Sequence, residues 1–117
     1  MPAEVIYKIV PADLWRQAEA AGRFTGAPVD VADGYIHFST CTQVRETARR
    51  HFAGQQELLL VTVDAGLLGP ELRWEPSRDG DLFPHLCGTL LLSAVRSVAS
   101  LPLGPDGAHQ FPEGIAP

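Results

Sequence analysis

The sequence predicts a small single domain of the α+β class, with two helices early in the chain packed on a mostly antiparallel sheet. Three observations lead there. Helical periodicity is confined to the first half, and the second half is built of short apolar or alternating runs of strand length. No internal repeat or regular strand–helix alternation is present, which sets the chain apart from a βαβ array. At 117 residues, with 45% hydrophobic and 20% charged residues, it can bury a core without disulfide or metal staples. The domain is expected over residues 1–103, and a Gly/Pro-rich, loosely held tail over 104–117.

Taken in order, Val5-Ile6-Tyr7-Lys8-Ile9-Val10 is β-branched and aromatic, the composition of a first strand. Pro11 ends it and suits the opening of a helix, where its missing N–H costs nothing. That helix is expected over 12–21, with Leu14, Trp15, Ala18 and Ala21 at helical spacing and Gly22 as its stop. Residues 24–33 are rich in turn formers and read as irregular, ending in the Asp33-Gly34 turn into a strand over 35–38. Thr40-Cys41-Thr42-Gln43 fits a capping box, with Thr40 capping the next helix and Gln43 reaching back. Val44, Ala48, His51 and Phe52 share one face of that helix with Cys41, and Gly54 closes it.

The run Leu58-Leu59-Leu60-Val61-Thr62-Val63-Asp64 has the pattern of a central strand buried on both faces. A short connector follows, about one helical turn. Leu72-Arg73-Trp74-Glu75 alternates as a strand ending at Pro76, and Arg78-Asp79-Gly80-Asp81 reads as a turn. Pro84 keeps Phe83 extended, and residues 94–101 alternate as a last strand.

The net charge of −5 argues against duplex nucleic acid or an anionic membrane as partner, because phosphate binding needs clustered cations. Arg45, Arg49 and Arg50 are a local exception that leaves a small anionic ligand open. Met1-Pro2-Ala3-Glu4 lacks the basic and apolar regions of a signal peptide. No apolar run approaches the roughly 18 residues of a membrane span. Two cysteines, Cys41 and Cys87, make no disulfide framework. The expectation is a cytoplasmic protein.

Two segments carry the candidate chemistry: Gly34-Tyr35-Ile36-His37-Phe38-Ser39-Thr40, and Trp74-Glu75-Pro76-Ser77 running on to Phe83-Pro84-His85-Leu86-Cys87-Gly88. In so small a domain they lie close together. Strand alternation puts Tyr35, His37 and Ser39 on one face, a stripe of phenol, imidazole and hydroxyl, with Ile36 and Phe38 opposite. Glu75, beside the large ring of Trp74, is a candidate acid or base if desolvated, and equally a carboxylate turned to water. His85, between Pro84 and Leu86, is rigidly held. The catalytic candidates are therefore His37, Glu75 and His85, with Tyr35, Ser39, Thr40, Gln43, Trp74 and Ser77 as ligand-binding candidates. Each histidine could instead be a bonded core residue, and Ser39 or Thr40 simply a helix cap. His37, Cys41, His85 and Cys87 offer a zinc-like donor set, but their spacing matches no compact zinc motif and no metal is expected.

Tyr7-Lys8-Ile9, the 33–40 segment with Gln43 and Thr47-Ala48, Trp74-Glu75, and Phe83-Pro84-His85-Leu86 with Gly88 together resemble domain-of-unknown-function family 952, a bacterial and plant family, from about residue 5 to residue 101. The resemblance implies remote kinship with the ADP-ribosyltransferase fold, a split sheet that binds NAD in a cleft. It further implies an imidazole from His37, hydroxyls from Ser39 and Thr40, and a late carboxylate from Glu75. The chain departs from that pattern in offering Tyr7 and Lys8 where the first strand should supply Arg or His. Relatives often carry Tyr in place of Cys87 and a small residue in place of Cys41, which weakens any role for the thiols. Two functions follow as expectations. One is a nucleotide- or NAD-binding enzyme of the ADP-ribosyl-transfer or NAD-cleaving type, with NAD as its cofactor. The other is a non-catalytic module that binds a nucleotide or small anion.

Overall fold

The fold is that of a computed structural model, which describes residues 4–77, 80–113 and 115. The start Met1-Pro2-Ala3, the turn residues Arg78 and Asp79, and Gly114, Ala116 and Pro117 of the tail lie outside the described residues. The β-branched first run forms β1 (Val5–Pro11), and the apolar run at mid-chain forms β4 (Leu58–Asp64). These two pair antiparallel, and β8 (Val95–Ser100) pairs with the other side of β4, giving a sheet of order β1-β4-β8. Successive residues of β1 and β4 face opposite sides, and both sides are covered. Ile6, Val10, Val61 and Val63 join Trp15 and Ala18 of α1 (Ala12–Ala21) in one core cluster. Tyr7, Ile9, Leu58 and Leu60 join Val44 and Ala48 of α3 (Val44–His51) in a second.

A second antiparallel sheet has the order β3-β6-β5, from β3 (Ile36–His37), β6 (Leu82–Leu86) and β5 (Leu72–Pro76). Its inner face, with Ile36, Phe38 and Leu86, closes the first cluster, and Trp74 packs against it. A short antiparallel pair, β2 (Arg23–Phe24) with β7 (Leu90–Leu91), borders that cluster. The two large sheets touch through one isolated bridge, Tyr7 with Ser39, whose backbone groups exchange bonds of 2.8 and 2.9 Å. The α+β class and the antiparallel pairing expected from the sequence are thus present.

Several local expectations differ. Residues 24–33 are not irregular throughout: Pro28–Asp33 forms a short helix, α2, so the described residues form three α-helices. Pro28 supplies the first helical position, and the Asp30 carboxylate accepts the Ala27 N–H at 2.7 Å. Gly34 ends it in the left-handed region at φ +88°. The strand after it is Ile36–His37, two residues shorter than predicted. The capping box is half made: the Gln43 side chain accepts the Thr40 N–H at 3.0 Å, while the Thr40 hydroxyl turns to Thr42. His51, expected on the apolar face of α3, is exposed. The connector after β4 is two 3₁₀ turns, Ala65–Leu67 and Gly69–Glu71.

Described residues after Pro102, expected to be loosely held, pack on the domain. Leu103 bridges His109, the buried His109 ring bonds the Gln55 carbonyl at 2.9 Å, and Phe111 and Ile115 pack on the second cluster. Arg45 lies over the Phe111 ring, 4.7 Å from its centre. Among the described residues no helix is long and apolar enough to cross a membrane.

Side-chain burial sets the cost of truncation here. Leu60 is fully enclosed and Leu91, on a short edge pair, is 58% exposed. Leu60→Ala is expected to lower unfolding free energy in urea by about 2–5 kcal/mol, and Leu91→Ala to change it by no more than about 0.5 kcal/mol.

Candidate functional site

The outer face of the second sheet is polar because of its register. Arg73, His85 and His37 stand opposite one another on β5, β6 and β3, so all three project from one side. Glu75, two residues along β5, shares that side and reaches diagonally to His85, with Oε1 2.8 Å from Nδ1. The Tyr35 ring lies against both imidazoles, 4.6 Å from His37 and 4.3 Å from His85. The two imidazoles themselves meet edge to face at 5.5 Å.

Past the Tyr7–Ser39 bridge, an antiparallel ladder would continue by pairing Ile9 with His37. It does not. The His37 N–H donates instead to Asp30 Oδ1, at 3.1 Å. The same oxygen lies 2.6 Å from His37 Nδ1 and accepts from Lys8 Nζ at 3.0 Å. One carboxylate thus occupies the gap between the sheets. Gly26 makes room for it: a Cβ there would stand 2.9 Å from Asp30 Cβ, and its φ of +114° suits only glycine. The second nitrogen of His37, Nε2, faces Asp33 Oδ2 at 2.9 Å. With a carboxylate at each ring nitrogen, His37 has both nitrogens engaged by the protein.

Burial alone would push the Asp30 carboxyl up. The His37 hydrogen bond, the Lys8 charge and two backbone N–H donors outweigh it and hold the group at about 2. Burial pushes the Lys8 ammonium down, opposed by Asp30. Burial also pushes the Tyr7 phenol up, with Cys41 adding to the effect, so it stays neutral.

Where the sheets part, a cleft of about 540 Å³ opens. Its walls come from β1 (Tyr7, Lys8, Ile9), α2 (Val29, Asp33), the β3 segment (His37, Phe38, Ser39), α3 and the following residue (Thr47, His51, Phe52), and the β6 side (Ser77, Phe83, His85). The His85 side chain is 5% exposed. Its Nδ1 is held by Glu75, and among the described residues Nε2 has no partner. A Glu75 oxygen accepting from Nδ1–H leaves the lone pair on Nε2, which is the arrangement of a proton acceptor.

The family model described as "Protein of unknown function (DUF952)" matches residues 9–98. The chain belongs to this family. It is similar to the crystal structure of protein CC0527 from Caulobacter crescentus, at 49% identity and a TM-score of 0.88, covering 91% of this chain and 93% of that one. The solution structure of the same protein gives 48% identity and a TM-score of 0.83, over 92% and 93%. No curated protein matches the chain.

In this DUF952 domain the predicted residues divide into two groups. Tyr35, His37, His85 and Glu75 come together as one contact cluster, and Ser39 and Ser77 stand on the cleft wall with the two histidines. Ser39 is committed to Thr47, hydroxyl to hydroxyl at 2.9 Å. Thr40, Gln43 and Trp74 are placed elsewhere. The Thr40 hydroxyl bonds Thr42, Gln43 Nε2 ties the helix entry to the Leu82 carbonyl at 2.8 Å, and Trp74 packs on the core face of β5. Among the described residues no three His, Cys, Asp or Glu side chains are grouped as metal ligands. Cys41 and Cys87 are separate, partly exposed thiols.

Asp30, Asp33, Lys8 and Thr47 were not among the site residues expected from the sequence. Pro28 with Asp30 two residues on, ahead of Gly34, is a helix-start and helix-stop signal that would have found α2 and its carboxylate. Nothing local marks Lys8, whose partner lies across the fold.

Asp30→Asn is expected to destabilise the domain by about 3–5 kcal/mol in urea, because it leaves Lys8 buried without its counter-charge. Asp30 has a depressed carboxyl, so its contribution is present above the unfolded value of 3.8 and lost as pH falls through about 2. The wild-type loss attributable to Asp30 between pH 5 and pH 2 is about 2 kcal/mol, and Asp30→Asn should lack that component of the pH curve.

Proposed function

We propose that this DUF952 protein acts on a small molecule of nucleoside size held in the cleft between its sheets, with His85 as the proton acceptor and Glu75 fixing its tautomer. The observation that carries this is the 2.8 Å Glu75–His85 bond beside a cleft of about 540 Å³. That volume suits a small-molecule ligand. Aromatic side chains of Tyr7, Phe52 and Phe83 give apolar walls, and the histidines and hydroxyls give hydrogen-bonding edges. A nucleoside, with its planar base and hydroxylated sugar, matches both. In this reading His85 Nε2 takes a proton from a water or acceptor hydroxyl as it attacks the sugar carbon, and the base leaves. Glu75 stabilises the imidazolium that forms. His37, with both ring nitrogens held by Asp30 and Asp33, has a positioning role.

NAD cleavage or ADP-ribosyl transfer is the specific version of this chemistry that the resemblance to the ADP-ribosyltransferase fold suggests. The parting of the two sheets and the late-strand carboxylate support it. The Lys8–Asp30 pair weakens it, since the Lys8 charge is already matched. The second reading is a binding module without turnover. It is favoured by the commitment of His37 and Ser39 to protein partners, which leaves His85 alone to do chemistry.

Nucleosides, nucleotides and NAD, screened by thermal shift and by release of free base or nicotinamide, separate these readings. The enzyme reading expects turnover that falls about 10²–10⁴-fold in Glu75→Gln and in His85→Gln. Stabilisation of about 2.7 kcal/mol at ligand a hundredfold above its Kd, with no turnover, would establish the binding module. Absence of any shift across the panel would remove both.

A further inference from the structure

We propose that Tyr7 is a second catalytic residue of this cleft, donating its phenol proton to the nitrogen of the base as that base leaves the sugar. The proposal rests on the enzyme reading above and adds the acid that this reading lacks. His85 accepts a proton from the attacking water, while the departing base needs one. Tyr7 and His85 both line the cleft, one from β1 and the other from β6, so donor and acceptor come from the two sheets that border it. The backbone of Tyr7 is fixed on both sides, by its pairing with Thr62 and by the two bonds it exchanges with Ser39. Its ring packs in the second core cluster with Ile9, Val44 and Leu60, and the residue is 7% exposed.

In so enclosed a residue a hydroxyl normally finds a hydrogen-bond partner. The Tyr7 hydroxyl bonds none of the described residues. Nor is its oxygen sealed off: among the described residues, the one enclosed polar side-chain atom without a partner is Trp15 Nε1. Tyr7 therefore brings an unused O–H with an open approach to the wall it lines. Burial and Cys41 push the phenol up from its ordinary value, so it holds its proton at neutral pH, the state from which a donor must start. The step balances. One water proton passes to His85 Nε2, the water oxygen bonds to the sugar carbon, and the carbon–nitrogen bond breaks with its electron pair on the base nitrogen. That nitrogen takes the Tyr7 proton. Solvent water then carries the proton held by His85 back to the Tyr7 phenolate, and both residues are restored.

The test compares inosine, whose base is a strongly basic leaving group unless protonated, with p-nitrophenyl riboside, whose leaving group needs no proton. Both are assayed with wild type, Tyr7→Phe and His85→Gln. Tyr7→Phe keeps the ring and removes only the hydroxyl. It should lower kcat on inosine about 10²–10⁴-fold and leave kcat on the nitrophenyl riboside unchanged, whereas His85→Gln should lower both. An equal loss on the two substrates, a change in KM alone, or no loss would overturn the proposal and leave the enzyme reading standing. A Tyr7→Phe protein that fails to fold, read from its urea unfolding midpoint, would mark the hydroxyl as structural and overturn the proposal as well. Turnover of neither substrate by the wild-type protein would overturn both the proposal and the enzyme reading as applied to nucleosides.

Discussion

The Asp30 carboxylate is the constraint on which the rest of the molecule depends. It is 1% exposed, a position that costs an unpaired carboxylate several kcal/mol in lost hydration. Four groups from three residues offset that loss: the Ala27 N–H, the Lys8 ammonium, and both the ring and the backbone N–H of His37. Each of these has a structural result. The Ala27 bond starts α2. The His37 backbone bond takes the place of a ladder partner, so β1 and β3 separate after a single bridge. The Lys8 bond lets a charged residue sit in the middle of an otherwise apolar strand. The cleft exists because a side chain, and not a strand, fills the seam.

The two histidines show how register and neighbours divide labour between identical side chains. They face each other across β3 and β6 and share the Tyr35 ring. His37 has a carboxylate on each nitrogen and is a fixed strut. His85 has one carboxylate and a second nitrogen left over, because Phe83 and Pro84 hold β6 extended while Glu75 on β5 reaches only one edge of the ring. Reactivity here follows from counting bonds at each nitrogen.

Much of this was legible from the sequence, for identifiable reasons. Helix α1 ends where Gly22 says it should, since a left-handed residue at φ +81° is a local requirement. β4 is central because an unbroken apolar run must be covered on both faces. Tyr35 and His37 share a side because strand periodicity demands it. What the sequence did not yield depends on distant partners. Lys8 reads as an exposed strand residue until Asp30 arrives, 22 positions away. Thr40 and Gln43 look like site residues because a capping box and a ligand-binding loop use the same side chains. The segment after Pro102 looks loose because its anchors, His109, Phe111 and Ile115, are scattered among glycines and prolines whose composition dominates the local signal.

The strand order β1-β4-β8 carries a kinetic consequence. β1 cannot find its partner until roughly half of the chain has been made, and β4 then waits for β8 near the far end. Contacts of this separation require large loops to close before any ladder bond rewards them, which raises contact order and slows folding relative to helical domains of equal size. During that interval β1 has two exposed edges, and an apolar strand in that condition is a template for pairing with other chains. A lysine at its centre is a known deterrent to such pairing. Lys8 would therefore guard the unfinished sheet before it meets Asp30, and the buried ion pair of the native state is what that guard becomes once folding is complete.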